Sequence, residues 1–203
     1  MTLKTRTLGT FALAMAPAFA VVVAMLTWLE WSFLHRHGWG VVHAKSSSIA
    51  WPSGTADGRY GWIQVANFAL LGLALLGLAT ALRRTVAAPA RVAPFLVAAM
   101  GVWLVACSAK TDEGESPTTW HGYVHTIASL TLFALSLVTV PTVWRWLRRD
   151  LAWLREARVS AVAAVFVAIG LVASFVGGGS IPFCIYLAAL LTWVALLGRR
   201  VAQ

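Results

Sequence analysis

Residues 112 to 129 read Asp-Glu-Gly-Glu-Ser-Pro-Thr-Thr-Trp-His-Gly-Tyr-Val-His-Thr-Ile-Ala-Ser, and from there the chain runs without a charge to Val143, stopping at Trp144-Arg145. A transmembrane helix needs about 20 mainly apolar residues to cross a hydrocarbon core of ~30 Å. The run from Trp120 to Val143 meets that length, and the acidic stretch before it reads as a loop at one membrane surface.

Working outward, the same pattern recurs. Apolar segments at about 8–30, 61–82, 94–108, 120–143, 159–176 and 181–198 predict an all-α, polytopic membrane helical bundle of six transmembrane helices. They form one domain over 1–203. The chain is 60% hydrophobic and 11% charged, with mean hydropathy +0.78, against roughly 25% charged residues in a soluble domain. The net charge of +9 does not point to nucleic acid, because the basic residues are segregated. On this topology twelve of the 16 Lys and Arg fall in the loops and ends of one side, leaving Arg36, Lys45, Arg59 and Lys110 on the other. That asymmetry predicts N and C termini in the cytoplasm and a multi-pass protein of the cell membrane. Ala18-Phe19-Ala20 resembles a signal-peptidase site, but apolar residues continue to Leu29, so an uncleaved first helix is expected.

Two segments do not span. Residues 31–60 are too polar to cross, and are expected to fold over the outer mouth of the bundle. They hold His35, His37, His43 and Lys45. Residues 144–158 place apolar side chains at 144, 147, 151 and 154 with arginines between them, the pattern of a basic amphipathic helix on an anionic inner leaflet.

The topology puts the chemistry-bearing residues at the outer face. His121 and His125 are four apart and stack on one helix face with Ser129 a turn deeper. Gln64 and Asn67 share a face three apart. Glu30, Gln64, Asn67, Asp112, His121 and His125 are the expected polar pocket, with Trp62, Trp120 and Ser129 as further ligand-binding candidates.

Three chemistries are open to it. His121 and His125 with Asp112 could hold zinc, leaving a position for an activated water, although the glutamate that follows the first histidine in zinc-protease helices is missing. Glu30, Asp112 or His125 could instead act in proton transfer, a carboxyl in an apolar pocket having a raised pKa, as in a lipid or isoprenoid cyclase or transferase. The same groups could simply bind a lipid headgroup, an ion or a partner. Haem would require His125 to pair with a loop residue such as His43. A transporter finds no support in a membrane-centre charge or an inverted repeat. Cys107 and Cys184 fall toward the outer helix ends, where either a disulfide or two buried thiols is open.

Gly61-Trp62-Ile63-Gln64-Val65-Ala66-Asn67-Phe68, the apolar helix with Gly72, the loop at Asp112 and His121-Gly122-Tyr123-Val124-His125 resemble the bacterial "domain of unknown function 998" membrane family. The similarity runs over all six segments. Gly61, Trp62, Asn67, Asp112 and His125 match best and Ser48 more loosely; His35, His37 and His43 lie outside the pattern. A more distant likeness is to the Frag1/DRAM/Sfk1 group of six-helix proteins. The resemblance implies the six-helix topology and, through the distant group, lipid or glycolipid handling. The expected function is binding or handling of a lipid or other hydrophobic small molecule, with a membrane-embedded lipid- or isoprenoid-modifying enzyme as the alternative.

Overall fold

The computed structural model describes residues 3–37, 51–87, 92–112, 117–176 and 180–203, and among them there is no strand. Among the described residues seven α-helices follow one another: α1 (Leu3–Leu29), α2 (Trp31–Arg36), α3 (Gly61–Thr85), α4 (Ala93–Ala106), α5 (Trp120–Leu147), α6 (Leu154–Val176) and α7 (Ser180–Ala202). Short 3₁₀ turns at Pro52–Ala56 and Leu151–Trp153 precede α3 and α6.

Among the described residues five stretches are long and apolar enough to cross a membrane: Leu3–Leu29, Gly61–Thr85, Trp120–Leu147, Leu151–Val176 and Ile181–Ala202. The third expected span is shorter. As α4 it has 14 residues, about 21 Å at the α-helical rise.

The long helices form a closed ring. In the order α1, α3, α4, α5, α6, α7 each packs on the next, and α7 closes on α1. Glycines set the closest approaches. The Gly9 and Gly198 positions bring the backbones of α1 and α7 together, so that a Cβ on Gly198 would meet Leu13 N at 2.7 Å and Gly9 O at 2.8 Å. Gly72 and Gly101 do the same for α3 and α4. Small residues at helix crossings give dispersion contacts that hold helices together where lipid removes the hydrophobic drive.

One end of the ring gathers the arginines. Arg83 and Arg84 close α3, Arg145 closes α5 and Arg199 and Arg200 close α7, while Asp150 binds Ala87 N (2.9 Å), joining the α3 and α5 ends there. The N-termini of α3 and α5 therefore lie together at the other end, where Asp112 sits.

The expected amphipathic helix over 144–158 is divided. α5 runs on to Leu147, the chain turns at 148–150, Asp150 caps the 3₁₀ turn through Ala152 N (3.0 Å) and α6 starts at Leu154. The reason is packing: Trp146, Leu147 and Trp153 are buried in the bundle instead of facing a membrane surface. Arg145, Arg148 and Arg149 are exposed, the first two within cation–π reach of Trp144. Cys107, buried, and Cys184, exposed, are both free thiols. A disulfide is not made, because α4 and α7 are not neighbours in the ring.

Candidate functional site

Asp112 sits in the connection between α4 and α5 and folds back over the start of α5. Its Oδ2 accepts Thr118 N (2.6 Å) and Thr119 N (2.9 Å), and its Oδ1 accepts the Thr119 hydroxyl (2.6 Å). Thr119 in turn caps α5 by accepting Gly122 N at 3.1 Å. A carboxylate at a helix N-terminus satisfies donors that the helix leaves open and lies at the positive end of its dipole. A Cβ on residue 122 would collide with the Asp112 carboxylate and push it from this position. Those hydrogen bonds, from Thr119 first and then Thr118, with a smaller contribution from the nearby His121, hold the Asp112 pKa down at about 2.

The two histidines grip the same connection. His121 Nδ1 donates to Lys110 O at 3.0 Å and lies 3.7 Å from Asp112 Oδ1. His125, buried one turn deeper, shares its Nδ1–H between Ala109 O (2.7 Å) and Cys107 O (2.9 Å). In a neutral ring, donation from Nδ1 leaves Nε2 as an acceptor. The 107–112 segment is thus pinned to the first two turns of α5 by Asp112, His121 and His125 together.

Glu30 does for α3 what Asp112 does for α5. Buried at the end of α1, it accepts Tyr60 N at 2.7 Å. The backbone of Gly58 lies against its carboxylate, where a Cβ would not fit. Gly61 likewise packs on the Ala56 carbonyl with no room for a side chain.

Gln64 and Asn67 form a different kind of site. Both are buried in the first turns of α3, Gln64 with 0% exposure. Asn67 Nδ2 donates to Phe19 O on α1 and to Gln64 Oε1, each at 3.2 Å. The Phe19 carbonyl can only accept, which fixes the Asn67 amide, and Gln64 must then present its oxygen to it. Gln64 Nε2 is left buried without a hydrogen-bond partner among the described residues.

His125 and Phe68 meet edge to face at 6.0 Å, and Phe68 packs on Phe19 at 5.5 Å. Cys107 Sγ lies 3.6 Å from the half-buried Ser129 Oγ. Farther round the ring, Trp51 packs on Phe133, Phe175 and Phe183, at 5.7, 6.1 and 4.8 Å, filling the space among α5, α6 and α7.

Of the residues expected to form a pocket, Gln64 and Asn67 join in the interior, and His125 reaches the same layer through Phe68. Trp62 and Trp120 do not line it. At 69% and 76% exposure they point away from the bundle, as interfacial anchors do. The three residues expected to hold zinc, His121, His125 and Asp112, each turn to the α4–α5 connection, and among the described residues no group of three His, Cys, Asp or Glu stands close enough to hold a metal ion. The donors diverge because each serves a different part of the connection. His43, Lys45, Ser48, Glu113 and Glu115 lie outside the described residues.

The family described as "Protein of unknown function (DUF998)" matches residues 12–200. The chain belongs to the DUF998 family. No curated protein and no solved structure matches it. Gly61, Asp112 and His125, read in the sequence as DUF998 positions, all have local structural work: two shape helix starts and one pins a connection. Asn67 is the exception, since it holds a second amide whose nitrogen is left without a partner.

Proposed function

We propose that this DUF998 protein crosses the cytoplasmic membrane six times, with both termini in the cytoplasm, and binds a lipid or similar hydrophobic small molecule in the outer half of its helix ring. The observation that carries the binding site is Gln64. A fully buried side-chain amide without a partner costs about 1–3 kcal/mol, and a bound polar group offsets that cost. Its position in the first turns of α3 gives access to the depth at which lipid headgroups meet acyl chains.

The geometry favours binding over turnover. Asp112 spends both oxygens on the backbone and hydroxyl donors of Thr118 and Thr119 at the start of α5, which favours its charged carboxylate over the proton donor that acid catalysis needs, and Glu30 is engaged in holding Tyr60 N at the start of α3. The arginine-rich end supports the assignment of that face to the cytoplasm. α4 supports a sixth crossing, because the chain must return from the arginine end, where α3 stops, to the end where α5 begins.

The test is mass spectrometry of lipids retained by the detergent-purified protein, wild type beside Gln64→Leu. A species enriched over the bulk membrane extract and lost in the variant is the expected result. Equal retention by both proteins rejects the site.

A further inference from the structure

At the arginine end of the ring, the connection between α5 and α6 is tied to two other helix ends. Asp150 Oδ2 accepts Ala87 N just beyond α3 (2.9 Å), and the Ala152 carbonyl accepts Nη2 of Arg200 on α7 (2.9 Å). Arg200 also lies over the buried Trp153 ring, 5.4 Å from its centroid. This arginine therefore holds the connection in place.

Arg145, Arg148 and Arg149 are placed differently. All three are exposed, and among the described residues none of them pairs with a carboxylate. Asp150, next in the chain, is turned to the backbone N–H groups of Ala87 and Ala152. The last carbonyls of a helix can draw basic side chains. Here those of Trp144, Trp146 and Leu147 already accept the N–H groups of Arg148, Arg149 and Asp150, at 3.1, 3.1 and 3.0 Å. Like charges three and four apart on a helix repel one another, and no side chain among the described residues neutralises these.

The indole of Trp144 gathers two of them. The Arg145 and Arg148 guanidinium carbons lie 5.9 and 5.4 Å from its ring centroid, so both cations stand against the same half-buried ring. Trp144 directly precedes the first charge after the long apolar run of α5, the depth at which aromatic belts meet lipid headgroups. A guanidinium resting on a ring keeps N–H donors for a second partner, and its planar fork matches the oxygens of a phosphate. Arg83 and Arg84, exposed at the end of α3, add to the positive field of this face but among the described residues rest on no aromatic ring.

We propose that Trp144, Arg145, Arg148 and Arg149 form a surface site for the phosphate of an anionic phospholipid in the leaflet at this end of the ring. The phosphate neutralises guanidinium groups that lack any other counter-charge, and the indole holds two of those groups ready for it. The site lies at the opposite end of α5 from Asp112 and is separate from the interior amide at Gln64.

The experiment titrates dioleoylphosphatidylglycerol and dioleoylphosphatidylcholine into the detergent-purified full chain and resolves the first bound lipid by native mass spectrometry. Wild type is compared with Arg145→Gln/Arg148→Gln and with Arg83→Gln/Arg84→Gln, which removes the same charge from the same face. All four arginines are exposed, so neither double variant disturbs the packing of the bundle. Wild type is expected to bind phosphatidylglycerol more tightly than phosphatidylcholine. The first variant should weaken phosphatidylglycerol about fivefold or more, the order expected for losing basic residues at an anionic surface, and the second much less. Trp144→Leu keeps every charge and should also weaken it, and unaltered binding there would overturn the role given to the indole. Equal weakening in the two arginine variants would show a diffuse positive field instead of a site and overturn the proposal, as would equal binding of the two lipids by wild type. Neither arginine variant touches Gln64, so failure here leaves the interior site standing.

Discussion

Glu30 and Tyr60, thirty residues apart, are joined by a 2.7 Å hydrogen bond from the Tyr60 N–H to the buried Glu30 carboxylate. It fastens the end of α1 to the start of α3 across the long connection between them. Removing the carboxylate leaves that N–H buried or wet at a helix start. Glu30→Ala is expected to destabilise by about 1.5–3 kcal/mol, the range for hydrogen bonds to charged groups. Glu30→Gln keeps an acceptor and should cost less. Gly58→Ala should resemble Glu30→Ala, because its Cβ would displace the same carboxylate, and the double variant should be clearly less than additive. Chemical unfolding in detergent measures all four, and additive losses would show that Gly58 and Glu30 act separately.

Asp112 gives a pH dependence whose sign is fixed. Its carboxyl is held at about 2 in the folded protein by Thr119 and Thr118, below the ~3.9 of an unperturbed aspartate. The folded state therefore favours the ionised form. The stabilisation is complete above the unfolded value and is lost as pH falls through about 2. Thermal midpoints of wild type should decline over that acid window, while Asp112→Asn starts lower at neutral pH and declines less. Parallel curves for the two proteins would exclude Asp112 as the source.

The hydrophobic pattern carried the helices because apolar runs of spanning length have few alternatives. It also placed Gln64 and Asn67 together, since residues three apart on a helix share a face. What spacing left open has a common cause. Asp112, His121 and His125 read as a metal set because spacing shows which residues can share a face, not what their second partners are. Here those partners are the Thr119 hydroxyl and backbone groups of Cys107, Ala109, Lys110, Thr118 and Thr119, and the backbone groups leave no trace in side-chain identity. Trp144 to Arg158 looked amphipathic because its apolar positions do follow helical spacing. The spacing could not reveal that Trp146 and Trp153 turn into the bundle.

Glycine substitutions should separate crossings from mere proximity. A Cβ at Gly198 meets backbone atoms of α1 at 2.7 and 2.8 Å, whereas one at Gly77 meets the flexible Leu8 side chain at 3.0 Å. Gly198→Ala can be accommodated only by moving α1 from α7, and overpacking of this kind costs about 1–3 kcal/mol. Gly77→Ala should be nearly neutral. Unfolding in mixed micelles compares them, and equal effects would mean that α1 and α7 do not meet at Gly198.

Reporter fusions decide the sixth crossing. α4 covers about 21 Å, less than the hydrocarbon core, and a short span is tolerated by local thinning of the bilayer at modest cost. The connection at Ala87 is tied to Asp150 at the arginine end, and Asp112 is tied to the start of α5 at the other. A fusion after Ala87 should therefore leave alkaline phosphatase inactive and a fluorescent protein bright. A fusion after Asp112 should reverse both, because the reporter is then exported. Matching results at the two positions would put them on one side of the membrane. α4 would then be a re-entrant element, and the outer half of the ring would open toward the same compartment as the arginines.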